Sequence, residues 1–186
     1  PSPSRHPDTL CADDLVIKIE ELREAPDWQI PISLKMGAGH RRHDIKIAVK
    51  DMVDIVAMDG LQGGTGAAPE IVLENIGIPS LAAIVQGIDG VVEMGRRDDV
   101  TLMVMGGIRD GLDAAKAMAL GADAVAIGTA AILAGSCIAC VQCHSNKCPT
   151  GITTHQGELE NRYETHRNAE WFATFLRNMA MELSAV

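Results

Sequence analysis

Aromatic residues are scarce in this chain: two Trp, one Tyr and two Phe make up 3% of 186 residues. Proteins that stack unpaired bases draw on several such rings, so a single-strand platform is not expected. An excess of positive charge is missing too. Sixteen Lys and Arg stand against 25 Asp and Glu, giving a net charge of −9 and a pI near 5.0. Nucleic-acid binding needs the opposite, a clustered basic footprint. No apolar run reaches the length of a membrane span, and no basic head marks a secretory signal. A soluble chain is expected, and Pro1 in place of Met hints at a fragment or processed piece.

What is there is globular. Hydrophobic residues make up 47%, mean hydropathy is +0.09, and 19.8 kDa suffices to bury a core. Of five cysteines, four fall within Cys137–Cys148 and Cys11 stands alone. A disulfide framework would spread them along a short secreted chain, so the reducing cytoplasm is the expected home. Cys11 by itself reads as a small buried hydrophobe.

Strand and helix patterns alternate strictly. A loop rich in Pro and Ser opens the chain; Leu15, Ile19 and Leu22 then mark one face of a helix over 13–25, ended by Pro26. Strands are expected at 30–36, 53–58, 101–105 and 124–127, with helices at 44–51, 80–94 and 110–120. Asp110 is placed as the N-cap of the last of these and Gly121 as its C′ residue. The strands are apolar without alternation, the pattern of a parallel sheet covered on both faces. Trp171, Phe172, Phe175, Leu176 and Met179 fall at helical spacing in a closing helix over 161–183.

Four strands are half of what an eight-stranded barrel of roughly 250 residues uses. The expected fold is therefore α/β, the second half of a TIM (β/α)8 barrel with about four βα units. The expected divisions are a loop over 1–12, βα units over 13–135, a cysteine loop over 136–156 and a helical segment over 157–186.

Three strands run straight into glycine loops, at Asp59–Gly66, Gly106-Gly107 and Gly128-Thr129. Ligands sit at the carboxyl ends of parallel strands. Glycine lets backbone approach closely, and the helix that follows offers N–H groups to an anion, so Gly106, Gly107, Gly128 and Thr129 form a candidate phosphate cradle. Lys35 interrupts the apolar strand Ile-Ser-Leu-Lys-Met and is expected to face an anion at the barrel mouth, with Asp59 as its partner or as a loop cap. The His40-Arg41-Arg42-His43 run reads as a solvated loop.

The cysteines spell C-x2-C-x2-C-x4-C-P, close to the bacterial ferredoxin run. Structural zinc is the competing reading, because sites of four thiolates are common. The tight spacing directly after a cofactor loop favours a redox cluster. His144 reads as a surface residue beside it.

The stretches Pro31–Lys35, Gly63–Ala67, Gly106–Arg109, Gly128–Ala131 and Cys137–Gly151 resemble the FMN-binding synthase domain of glutamate synthase. The resemblance covers about 15–156. It implies a (β/α)8 barrel holding FMN, with Asp59, Gly60, Gly63, Gly64, Thr65, Gly106, Gly107, Gly128 and Thr129 in its binding segments. Lys35 matches a lysine near the flavin and the oxoacid. A [3Fe-4S] cluster is implied on Cys137, Cys143 and Cys148, with Cys140 as an extra thiol that would allow [4Fe-4S]. The implied reaction is reductive amination of 2-oxoglutarate by ammonia, through 2-iminoglutarate, to L-glutamate. The implied partners are an electron-donor subunit or ferredoxin and an amidotransferase domain or subunit. Gln62 and Met105 depart from the acidic residues usual at their loops. A second flavoprotein, the FMN subunit of methylamine–glutamate N-methyltransferase, is similar through Arg5–Asp8 and Asp59–Thr65, but the cysteine tract resembles the synthase. A non-catalytic zinc-binding remnant is the alternative from another class.

Overall fold

The computed structural model describes residues 6–37, 39–50, 53–64 and 69–186. Its four strands are β1 (Ser33–Gly37), β2 (Ile55–Asp59), β3 (Thr101–Met105) and β4 (Ala124–Ala126), in one parallel sheet of order β1-β2-β3-β4. Register aligns Gly37, Asp59, Met105 and Ala126 at one level, so the strands end together at a common carboxyl rim. Sequential parallel neighbours joined by helices are how a TIM barrel is wound, and four such units are half of one.

Helix α1 (Ala12–Glu24) precedes β1; α2 (Arg41–Lys50), α3 (Glu70–Asn75), α4 (Ser80–Glu93) and α5 (Gly111–Ala119) connect the strands, and α6 (Thr129–Ala134) follows β4. One face of the sheet, carrying Val56, Met58, Leu102 and Val104, is fully buried against Ile45, Val49, Ile84 and Val91 of α2 and α4. The other face is not covered as the apolar pattern led us to expect. Along β1 exposed and half-buried residues alternate, and on β3 Thr101 is exposed while Met103 and Met105 are half-buried. That side is the one that lines the interior when a sheet closes into a barrel, and of the described residues that β1, β2 and β3 place on it only Ala57 is buried.

Local signals placed several boundaries well. Asp110 caps α5 by accepting the Asp113 N–H at 2.8 Å, and Gly121 takes φ +110° just beyond the helix. Other readings change. The basic run is not a loop: α2 starts at Arg41, because Arg42 and Lys46, one turn apart, both ion-pair with Glu93 of α4. Cys11 is exposed rather than buried. It is the N-cap of α1, where the Asp14 carboxylate accepts the Leu10 and Cys11 N–H groups at 2.8 and 3.0 Å. The closing helix expected over 161–183 is present as α8 (Thr165–Ser184), with a separate short helix, α7 (Gly157–Glu160), before it, and α8 packs on α5. Gly111 makes that approach possible, since a Cβ there would stand 2.4 Å from Met179 O, and its N–H is capped by Glu182 at 2.8 Å. Among the described residues no helix is long and apolar enough to cross a membrane.

Candidate functional site

The rim gathers most of the residues singled out in the sequence. Lys35 Nζ lies 2.9 Å from Asp59 Oδ2, across the β1–β2 register at the top of the sheet. Asp59 is thus the lysine's partner. The Lys35 side chain remains 61% exposed, on the uncovered side of the sheet. A cation there is held upright by one carboxylate while its other donor positions stay open to an incoming anion.

The loops after β2 and β3 are built against each other. Gly60 N–H donates to Met105 O at 2.9 Å, and Gly63 N–H turns back to Gly60 O at 2.8 Å. Gly106 (φ +92°) and Gly107 (φ +79°) sit in the left-handed region that suits glycine, and a Cβ on Gly106 would stand 2.8 Å from Gly63 N. Gly64 continues the β2 loop; Thr65 lies outside the described residues. Gly128 and Thr129 are exposed where β4 meets α6, and among the described residues, its chain neighbours aside, no heavy atom lies within 4 Å of where a Gly128 Cβ would be. Bare backbone at two adjacent strand ends fits the phosphate-bearing tail of a cofactor.

Sequence reasoning passed over two residues at this rim. Arg109 follows the double glycine, exposed, with its Nε 2.8 Å from Asp113 Oδ2. The Arg109 guanidinium holds the Asp113 carboxyl below the usual carboxylate range. Ser80, at the start of α4, is buried between the β2 and β3 loops. Arg109 was visible in the Gly-Gly-Ile-Arg stretch; Ser80 carried no signal beyond a helix start.

The cysteine tract follows α6 as an irregular loop with a single 3-10 turn at Cys143–Ser145. Ser136, Ala139, Val141 and Asn146 all have positive φ, between 53° and 80°. For a β-branched residue such as Val141 this conformation is a genuine outlier, and each such residue costs about 1–3 kcal/mol unless its surroundings enforce it. Asn146 is enforced: its side chain accepts the His155 N–H at 2.7 Å and its carbonyl the Thr154 hydroxyl at 2.8 Å.

Cys148 is buried, Cys137 and Cys140 are half-buried, and Cys143 and His144 are exposed. Among the described residues no three Cys, His, Asp or Glu side chains gather into a set that could hold a metal ion. Burial alone would raise the Cys148 thiol. Hydrogen bonds from the Thr150 hydroxyl and from the Thr153 and Thr150 backbone N–H groups outweigh it and bring the pKa from 9.0 to about 6. Thiolate is the ligating form, so Cys148 suits a thiolate-bound cluster by its chemistry, and three further cysteines lie on the same loop.

The family model described as the conserved region in glutamate synthase matches residues 1–186. A glutamate synthase large subunit-like protein of Rhizobium meliloti is 41% identical over all of this chain and 46% of its own length. An archaeal-type glutamate synthase [NADPH] of Dehalococcoides mccartyi is 40% identical over 98% of this chain and 37% of its own. The chain thus spans less than half the length of these relatives. Among solved structures, a mutant flavocytochrome b2 with benzoylformate superposes with a TM-score of 0.54 at 20% identity, over 96% of this chain and 36% of that one. That likeness is one of fold.

Proposed function

The chain belongs to the glutamate synthase family, and from that premise we propose that it forms the cofactor-binding half of an FMN- and iron–sulfur-dependent enzyme making L-glutamate. The observation that carries the reading is the Lys35–Asp59 pair, 2.9 Å apart at a rim flanked by glycine loops. When bound, FMN supplies the hydride that turns 2-iminoglutarate, formed from 2-oxoglutarate and ammonia, into glutamate, with a [3Fe-4S] cluster supplying the electrons.

The chain's own residues have distinct tasks. Asp59 orients Lys35, and the ammonium offers its remaining donors to a substrate carboxylate or to negative charge growing at the rim. The backbone at Gly60, Gly63, Gly64, Gly106, Gly107, Gly128 and Thr129 receives the cofactor, with Thr65 assigned from the resemblance alone. Exposed Arg109 can add a cation beside the phosphate at the cost of its Asp113 contact. Cys137, Cys143 and Cys148 hold the cluster, with Cys140 in reserve for a fourth iron. Ammonia delivery and electron supply belong to an amidotransferase and a donor protein or domain. The names of relatives support an NADPH-linked or ferredoxin-linked source.

The test supplies the full-length protein with a reduced donor, 2-oxoglutarate and isotope-labelled ammonia. Labelled glutamate is the expected product. A flavin-loaded preparation that forms none refutes the reading.

A further inference from the structure

Ser80 is 3% exposed, and two successive loops meet on it. Its backbone N–H donates to Gln62 Oε1 of the β2 loop at 3.1 Å. Its hydroxyl has three acceptors in reach: Gly106 O at 2.6 Å, Met105 O at 3.1 Å and Gln62 Oε1 at 3.2 Å. A hydroxyl has one proton to give. Met105 O already receives the Gly60 N–H, and Gln62 Oε1 already receives the Ser80 N–H. Each of those oxygens has a second lone pair, so distance decides, and the hydroxyl donates to Gly106 O, the nearest.

One residue thus donates in two directions, to the β2 loop through its backbone and to the β3 loop through its side chain. The packing agrees. A Cβ on Gly60 would stand 1.9 Å from Ser80 Oγ and 2.7 Å from its Cα, and one on Gly107 would stand 2.9 Å from Gln62 Cβ. Glycine at 60 and 107 lets the two loops close on the Ser80–Gln62 pair. Gln62 itself is exposed, so it is the outer end of this tie and Ser80 the buried end.

We propose that Ser80 is a positioning residue which, with Gln62, fixes the spacing of the Gly60–Gly64 and Gly106-Gly107 loops and so sets the affinity for the phosphate-bearing flavin. This rests on the function proposed above. A loop pair held in advance loses less freedom on binding, and the tie contributes through that preorganisation.

The test titrates FMN into the apo form of the full-length protein by flavin fluorescence and follows amide hydrogen exchange at the two loops without ligand. Ser80→Ala should weaken FMN binding about tenfold, the worth of one hydrogen bond of this kind. It should also speed exchange at 60–64 and 106–108 together, while core strands keep their protection. Gln62→Ala, at an exposed position, should weaken binding by a smaller factor and covers the case in which Ser80→Ala does not fold. Wild-type FMN affinity in Ser80→Ala, or in Gln62→Ala if that is the variant recovered, overturns the positioning role while leaving the flavin assignment intact. A wild-type protein that binds no FMN removes both.

Discussion

At the amino ends of β2 and β4, Asp54 and Asp123 are each bonded to a backbone N–H and an arginine of the protein itself. Asp54 accepts the Ile32 N–H at 2.6 Å and Arg23 at 2.9 Å. Asp123 accepts the Leu102 N–H at 2.8 Å and both terminal nitrogens of Arg97, at 2.7 and 2.9 Å. Each carboxylate pins the preceding strand and an arginine in the same way. At the carboxyl ends the matching polar residues are arranged differently: Asp59 meets Lys35, the lysine stays open, and bare glycine backbone surrounds them. One end of the sheet commits its polar groups to the fold and the other leaves its lysine exposed. In a parallel α/β fold that division separates stability from function.

Mutations should separate the two ends, starting with the largest effect. Cys143→Ser should abolish the cluster in the full-length protein, read as lost iron and sulfide, while Cys140→Ser is milder. Equal loss from both would make Cys140 a ligand. Lys35→Ala should lower turnover about 100-fold, the scale of one lost electrostatic contact to charge developing in the reaction. Its melting temperature should barely move, because an exposed ion pair is worth about 0–1 kcal/mol; unchanged kinetics would take Lys35 out of the site.

Asp123→Asn should do the reverse, costing about 1–2 kcal/mol in denaturant unfolding and leaving FMN affinity alone. Arg97 holds the Asp123 carboxyl below its usual range. A depressed carboxylate stabilises the fold above its unfolded pKa of about 3.9 and loses that contribution as pH falls through the lower folded value. The gap between wild type and Asp123→Asn should therefore be full at neutral pH and close below about pH 4. A gap that persists in acid would show that the charge is not what pins the strand.

The sequence was most informative where the cause is local. Asp110 and Gly121 bracket α5 because a cap and a left-handed exit depend on neighbours along the chain. Lys35 stood out because a cation within an apolar strand demands an anion, and Asp59 sits on the next strand at the same rim. Where the partner is distant, the reading failed. The start of α2 depends on Glu93, and the role of Ser80 depends on carbonyls of the β3 loop. Cys11 was misread because its position is fixed by capping, not by side-chain burial. The cysteine spacing could be read at once, but spacing does not determine where each thiol stands on a loop with Ala139 and Val141 in the left-handed region, and among the described residues no three of them gather.

On the function proposed above, the rim and the cysteine loop each keep their donors for a bound redox group. The most direct test of this is the FMN, iron and acid-labile sulfide content of the full-length protein, purified without air. The account predicts flavin and an iron–sulfur centre in stoichiometric amounts. A correctly folded protein carrying neither, and taking up neither when supplied with them, would contradict it.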